Sequence, residues 1–198
     1  MSTLPPCPVA GSHRRLMDCH EHWHAAGDNY MSPDGFRMNL NALIQGLRNV
    51  TFLLQKQRRS LPDFEHWYKE WQQSVSGDQV MRWVVNSRNR IVKESDLELL
   101  STVKVRLSLD WLHEFEETWE MPARFDTRNI LMRLMSDGRP MPPVGTLTIE
   151  RRWIDKYLPE WELLDATAIV YDRITQLLVT AHRRMEVPNC NLPGTEPS

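Results

Sequence analysis

Two short segments hold residue types dense enough for chemistry. The first is Arg88-Asn89-Arg90-Ile91-Val92-Lys93, with three cations in six residues. Guanidinium and ammonium groups this close offer charge-assisted donors to phosphate oxygens, with Arg88, Arg90 and Lys93 as the binding groups. The second is Asp18-Cys19-His20-Glu21-His22-Trp23-His24. On a helix, His20 and His24 stand one turn apart on one side, the geometry by which two imidazoles grip a zinc ion. The run also meets the HExxH pattern of zinc peptidases, in which Glu21 would be the general base. That pattern fixes only three positions in five, and His22 points elsewhere. A further ligand would have to come from Glu65, His66, His113 or Glu114. The alternative packs His20 and Trp23 on a bundle and leaves His22 and His24 in water.

Phe64, Trp67, Tyr68 and Trp71 share a helical face. Such a stripe stacks nucleobases in single-strand binders, making Trp67 and Trp71 candidate binding residues; equally, it forms a core or a dimer face. Lys56, Gln57, Arg58 and Arg59, with Lys69 beyond, make a dense basic run nearby. It reads as a solvated helix end, where cations also suit the C-terminal dipole. The three cysteines, Cys7, Cys19 and Cys190, have no CxxC spacing, so a disulfide scaffold is not expected and nothing in the sequence marks an activated thiolate. No cofactor is expected.

The elements that must position these residues are mostly helices. Leu16, Cys19, His20, Trp23 and Ala26 mark a first helix from His13 to about Ala26. Ser32-Pro33-Asp34-Gly35 is a turn signal, with Pro33 suited to a helix's first turn. From Phe36 to Leu54 apolar residues recur at spacings of three and four, predicting a long amphipathic helix to about Arg59. Ser60 and Pro62 open a third helix that Gly77 ends. Val80, Met81, Val84 and Val85 mark a fourth.

The period then changes. Val103, Val105, Leu107, Leu109 and Trp111 alternate with polar residues as in a half-buried strand, and Thr146 to about Trp153 is a second extended candidate. A short helix around Thr127–Met135 lies between them, and Trp161–Met185 closes the fold. The expected fold is mainly α, a helical bundle with a small two-stranded β insertion at about 103–153, flanked by flexible tails at 1–12 and 187–198.

Composition bounds the rest. The chain has 198 residues, 41% hydrophobic and 25% charged, which suits one globular domain. A formal charge of -2 excludes a generically basic nucleic-acid binder but not a local basic patch. No apolar run reaches the ~18 residues of a membrane helix and no secretory signal opens the chain, so a cytoplasmic protein is expected.

The helix reading LNALIQGLRNVTFLLQKQ, then FEHWY, then Arg-Asn followed closely by an apolar pair, resembles HEPN domains over about residues 36–100. The resemblance implies a helical bundle, usually a homodimer. Many members are metal-independent ribonucleases of bacterial toxin–antitoxin and phage-defence systems, with a motif of Arg, a polar residue, spacers and His. Carried over, Arg88 is the Arg, Asn89 the polar residue, and Lys93 stands where the His belongs. An imidazole of pKa ~6.5 shuttles protons at neutral pH, whereas a lysine near ~10.4 is an electrostatic clamp or an acid. Losing a positioned base costs ~10²–10⁴-fold in rate. The expectation is therefore a non-catalytic binding or regulatory protein that engages RNA, a nucleotide or a protein partner. The alternative is a ribonuclease using Arg88 and Lys93, or a histidine from another helix such as His182. The weaker alternative is a metal site at His20 and His24.

Overall fold

The computed structural model describes residues 7–93, 97, 99–110, 113–122, 124–136 and 146–187. Helix α2 (Pro33–Lys56) is the axis around which the body is built. Phe36, Leu40, Leu43, Ile44, Leu47, Val50 and Leu54 recur at helical spacing and are fully buried, with Pro33 in the first turn and Ser32 extended before it. Helix α1 (Ala10–Asp28) lies along it, with Gly46 facing Cys19. A Cβ on Gly46 would stand 2.7 Å from the Cys19 sulfur, so the absent side chain sets this contact. Helix α4 (Gln79–Lys93) and helix α6 (Leu163–Arg184) complete the packing around α2, and α3 (Phe64–Ser76) covers part of α4 and α6.

Several boundaries move from those expected. Helix α1 starts at Ala10 rather than His13, and Val9 is fully buried, so part of the segment expected as a tail over 1–12 belongs to the body. Residues 1–6 and the tail expected over 188–198 lie outside the described residues. Helix α3 is not capped by Ser60, which ends a single 3-10 turn at Arg58–Ser60. It begins after Asp63, held in the left-handed region at φ 51°, a conformation that Asp tolerates better than most residues. Asp78 caps α4, accepting from the amides of Val80 and Met81.

The β insertion has three strands, not two, and reaches further into the body than expected. Strand β1 (Leu99–Asp110) is central, antiparallel to β2 (His113–Pro122) on one side and to β3 (Thr146–Asp155) on the other. A third strand gives β1 a partner on both edges, which a lone ribbon lacks. Helix α5 (Thr127–Ser136) packs on the outer sheet, where Val103, Val105, Trp119, Ile130 and Leu134 form a small separate core. The inner end is embedded among the helices. Trp153 is fully buried, lies parallel to Phe36 with ring centres 4.6 Å apart, and donates its indole N–H to the Tyr30 carbonyl at 2.8 Å. Arg151 sets its guanidinium 4.2 Å from the Trp153 ring and donates to Ser101 Oγ and to the Phe125 carbonyl.

Candidate functional site

Within one chain, Arg88 and Lys93 do not converge. Arg88 and Lys93 are five residues apart on one helix, so their side chains leave α4 about 140° apart around its axis. Arg88 is half-buried with its guanidinium 5.7 Å from the Phe52 ring centre and Nη1 3.4 Å from Asn89 Oδ1, whereas Lys93 is exposed. Arg90 turns inward. Its Nη2 donates to Asp155 Oδ2 at 2.7 Å and to Ser87 Oγ at 2.9 Å, and its guanidinium covers Tyr157 at 4.2 Å. Asp155 is fully buried and also accepts from the Trp83 indole at 3.1 Å and from the Tyr157 amide at 2.9 Å. This is a junction between α4 and the end of β3, and it gives Arg90 a structural partner.

The other candidates separate as well. Trp67 is core, donating to the Pro62 carbonyl, whereas Trp71 is half-buried at the rim of a cleft. His182 is fully buried beside Cys7, 3.4 Å from its sulfur, and does not complete a site with Arg88. Burial pushes the Cys19 thiol up to about 12, which keeps it protonated and inert. His20 and His24 do meet, Nε2 to Nε2 at 3.3 Å. Among the described residues no group of three His, Cys, Asp or Glu side chains is placed to hold a metal. His66 instead stands beside Asp63 and Glu70, and the side chains of His113 and Glu114 lie outside the description.

What the packing assembles instead is a basic track centred on Phe52. Arg48 and Arg88, from α2 and α4, both approach the Phe52 ring, at 4.9 and 5.7 Å. Burial pushes the Arg48 guanidinium below its ordinary value; neighbouring Tyr68 opposes this and the like charge of Arg88 adds to it. An anion at this point would relieve that repulsion.

Three clefts adjoin here. The first, about 780 Å³, is lined by Arg15, Lys56, Arg58 and Arg59 together with Asn49 and Phe52. The second, about 380 Å³, holds Arg48, Tyr68, Trp71 and Gln72. The third, about 450 Å³, is formed by Gln79, Trp83, Arg90 and Tyr157. Gln55 belongs to the first two, and Arg82 and Asn86 to the last two, so neighbouring clefts share walls. No carboxylate lines any of them. Arg15 is paired with Asp18, Arg58 with Glu65 and Arg90 with Asp155. Arg48, Lys56, Arg59, Arg82 and Arg88 have no carboxylate partner among the described residues.

The sequence signal for this track was slight. Lys56–Arg59 stands out as a basic run, but Arg15, Arg48, Phe52 and Arg82 come from three helices with no shared motif.

A family model described as bacteriophage lambda protein ea47 matches residues 4–194. The chain belongs to that family. Protein ea47 of Escherichia phage lambda is 34% identical over 172 residues, covering 81% of this chain and 40% of the phage protein, so the chain spans less than half the length of that relative. No solved structure matches. Membership of the ea47 family replaces the HEPN resemblance. An Arg-Asn pair on an amphipathic helix is a pattern that unrelated bundles share, because helical periodicity reports burial and not ancestry. No described helix is long and apolar enough to cross a membrane.

Proposed function

We propose that this ea47-family chain binds nucleic acid through the track around Phe52, holding it without cutting it. The observation that carries this reading is the concentration of cations along three adjoining clefts that no carboxylate lines, in a chain whose formal charge is -2. Phosphate neutralisation is the sequence-independent source of nucleic-acid affinity, and five cations without a carboxylate partner among the described residues supply it here, four on the cleft walls and Arg88 against Phe52. The separation of Arg88 from Lys93 favours binding over cleavage, because the groups set beside Arg88 are Phe52, Arg48 and Asn89, none of which takes a proton at neutral pH. Buried Trp67, Trp83, Trp119 and Trp153 account for half of the eight tryptophans without a dimer face.

The test is fluorescence anisotropy with a labelled mixed-sequence 20-nucleotide RNA, and with single-stranded and duplex DNA of the same sequence, at 50 and 200 mM salt. Five phosphate contacts predict roughly 100-fold weaker single-strand binding at the higher salt. Replacing Lys56 and Arg59 together by Ala should flatten that salt dependence while leaving the melting temperature near that of the parent. Absence of binding to all three probes at micromolar protein, or binding indifferent to salt, would overturn the proposal.

A further inference from the structure

The track carries more than charge. Its first cleft offers the Asn49 amide, the second those of Gln55 and Gln72, and the third that of Gln79, with Asn86 shared between the last two. A primary amide presents a donor and an acceptor side by side, which matches the edge of a nucleobase and has no special use against a phosphate. These amides alternate with aromatic rings. Phe52 is 37% exposed at the first cleft and Tyr157 is 60% exposed at the third, while half-buried Trp71 forms a wall of the second, tilted 33° against Tyr68. A duplex buries its base faces in its own stack and offers the track phosphates and groove edges, but no face to stack on an aromatic ring. A single strand offers backbone and unstacked bases together.

The middle cleft is where the two chemistries converge. Arg48 and Arg82 stand on its walls with Trp71, Gln72 and Asn86, and the Tyr68 hydroxyl is held by the Gln55 amide at 2.9 Å. Gln72, Arg82 and Asn86 are exposed, so a ligand reaches them without any rearrangement of the core. Building on the nucleic-acid reading, we infer that this cleft receives an unstacked base beside Trp71, so that the track takes a single strand in preference to a duplex of the same sequence. The cations of the first cleft hold the backbone on one side, and Arg82 holds it where the second cleft meets the third.

The experiment compares the dissociation constants of single-stranded and duplex 20-mers of one sequence, for the parent chain and for three variants. The parent should bind the single strand about tenfold more tightly at equal salt. Trp71→Ala should weaken the single strand by about 5- to 100-fold, the range seen when a base-stacking aromatic is removed, and leave duplex binding unchanged. Because the Trp71 indole also donates to the Arg173 carbonyl, the exposed pair Gln72→Ala and Asn86→Ala gives a second test, with a smaller loss confined to the single strand. Arg88→Ala should weaken both probes by the same factor. Equal affinity for the two probes would overturn the base-receiving cleft and leave the nucleic-acid reading standing. A preference that survives all of the middle-cleft variants would overturn it too. Loss of binding to every probe would remove both.

Discussion

The helical body and the sheet appendage solve the same burial problem with different material. In the body, α1, α2, α4 and α6 close over one large apolar core that also takes in Leu97, Leu99, Trp153 and Leu158. In the appendage, five buried side chains from β1, β2 and α5 form a small core of their own. Charge divides the two as well. Residues 1–93 carry twelve Lys and Arg against eight Asp and Glu, whereas residues 94–155 carry eight against twelve. A near-neutral total thus conceals a basic half and an acidic half. The track around Phe52 lies mainly on the basic half, on elements fixed by the larger core. A site built of side chains from several helices needs that rigidity, because each guanidinium is only as well placed as the helix beneath it.

Substitutions in the two cores sharpen this contrast. Trp153→Ala removes the stack on Phe36 and the bond to the Tyr30 carbonyl, and should cost ~3–5 kcal/mol in urea unfolding, with the helical signal lost in the same transition as the sheet. Ile130→Ala, in the appendage, should cost about 2 kcal/mol and act locally. Amide exchange should then rise in α5 and the outer part of β1, with α2 and α6 unchanged. Equal loss of protection in both regions would show one cooperative unit and break the comparison.

The smallest effect concerns Glu162, which caps α6 by accepting from the amides of Leu164 and Asp165. Burial pushes its carboxyl above the ordinary value of 4.5, and the Asp165 amide, the Tyr30 hydroxyl and the Leu164 amide pull it partly back. The native chain therefore keeps this proton to higher pH than the unfolded chain does. Its contribution to stability falls as pH rises from about 4.5 through the raised native value. Glu162→Gln should flatten that part of a stability–pH curve. A steeper curve in the variant would contradict the assignment.

Legibility in the sequence follows the same division. Helices α2 and α6 repeat one face over many turns, so their apolar spacing announces them, and the short α5 is also marked by its pattern. Strand β2 is not. Its sequence HEFEETWEMP is dense in glutamate, a residue depleted in strands, and only pairing along β1 makes it one. The candidate site was legible in fragments. Lys56–Arg59 and Trp71 stand out as residue types, but their meeting with Arg48, Arg82 and Phe52 depends on crossings between helices that no local pattern encodes. Arg90 misleads for a related reason: its partner Asp155 lies 65 residues away, outside any motif.

The bond between Arg90 and Asp155 has a consequence for how this architecture varies. The chain leaves the helices just after α4 and returns at the last residue of β3, where an ion pair holds the two ends of the excursion together. Leu99 faces Asp155 and Val103 faces Arg151 in the same ladder, so the excursion stands on a two-stranded stalk already in hairpin register. A tight turn joining those strands above Val103 would close the ladder without disturbing the helices. The acidic outer sheet is, in that sense, cargo on a mount that the Arg90–Asp155 pair fixes to the helices.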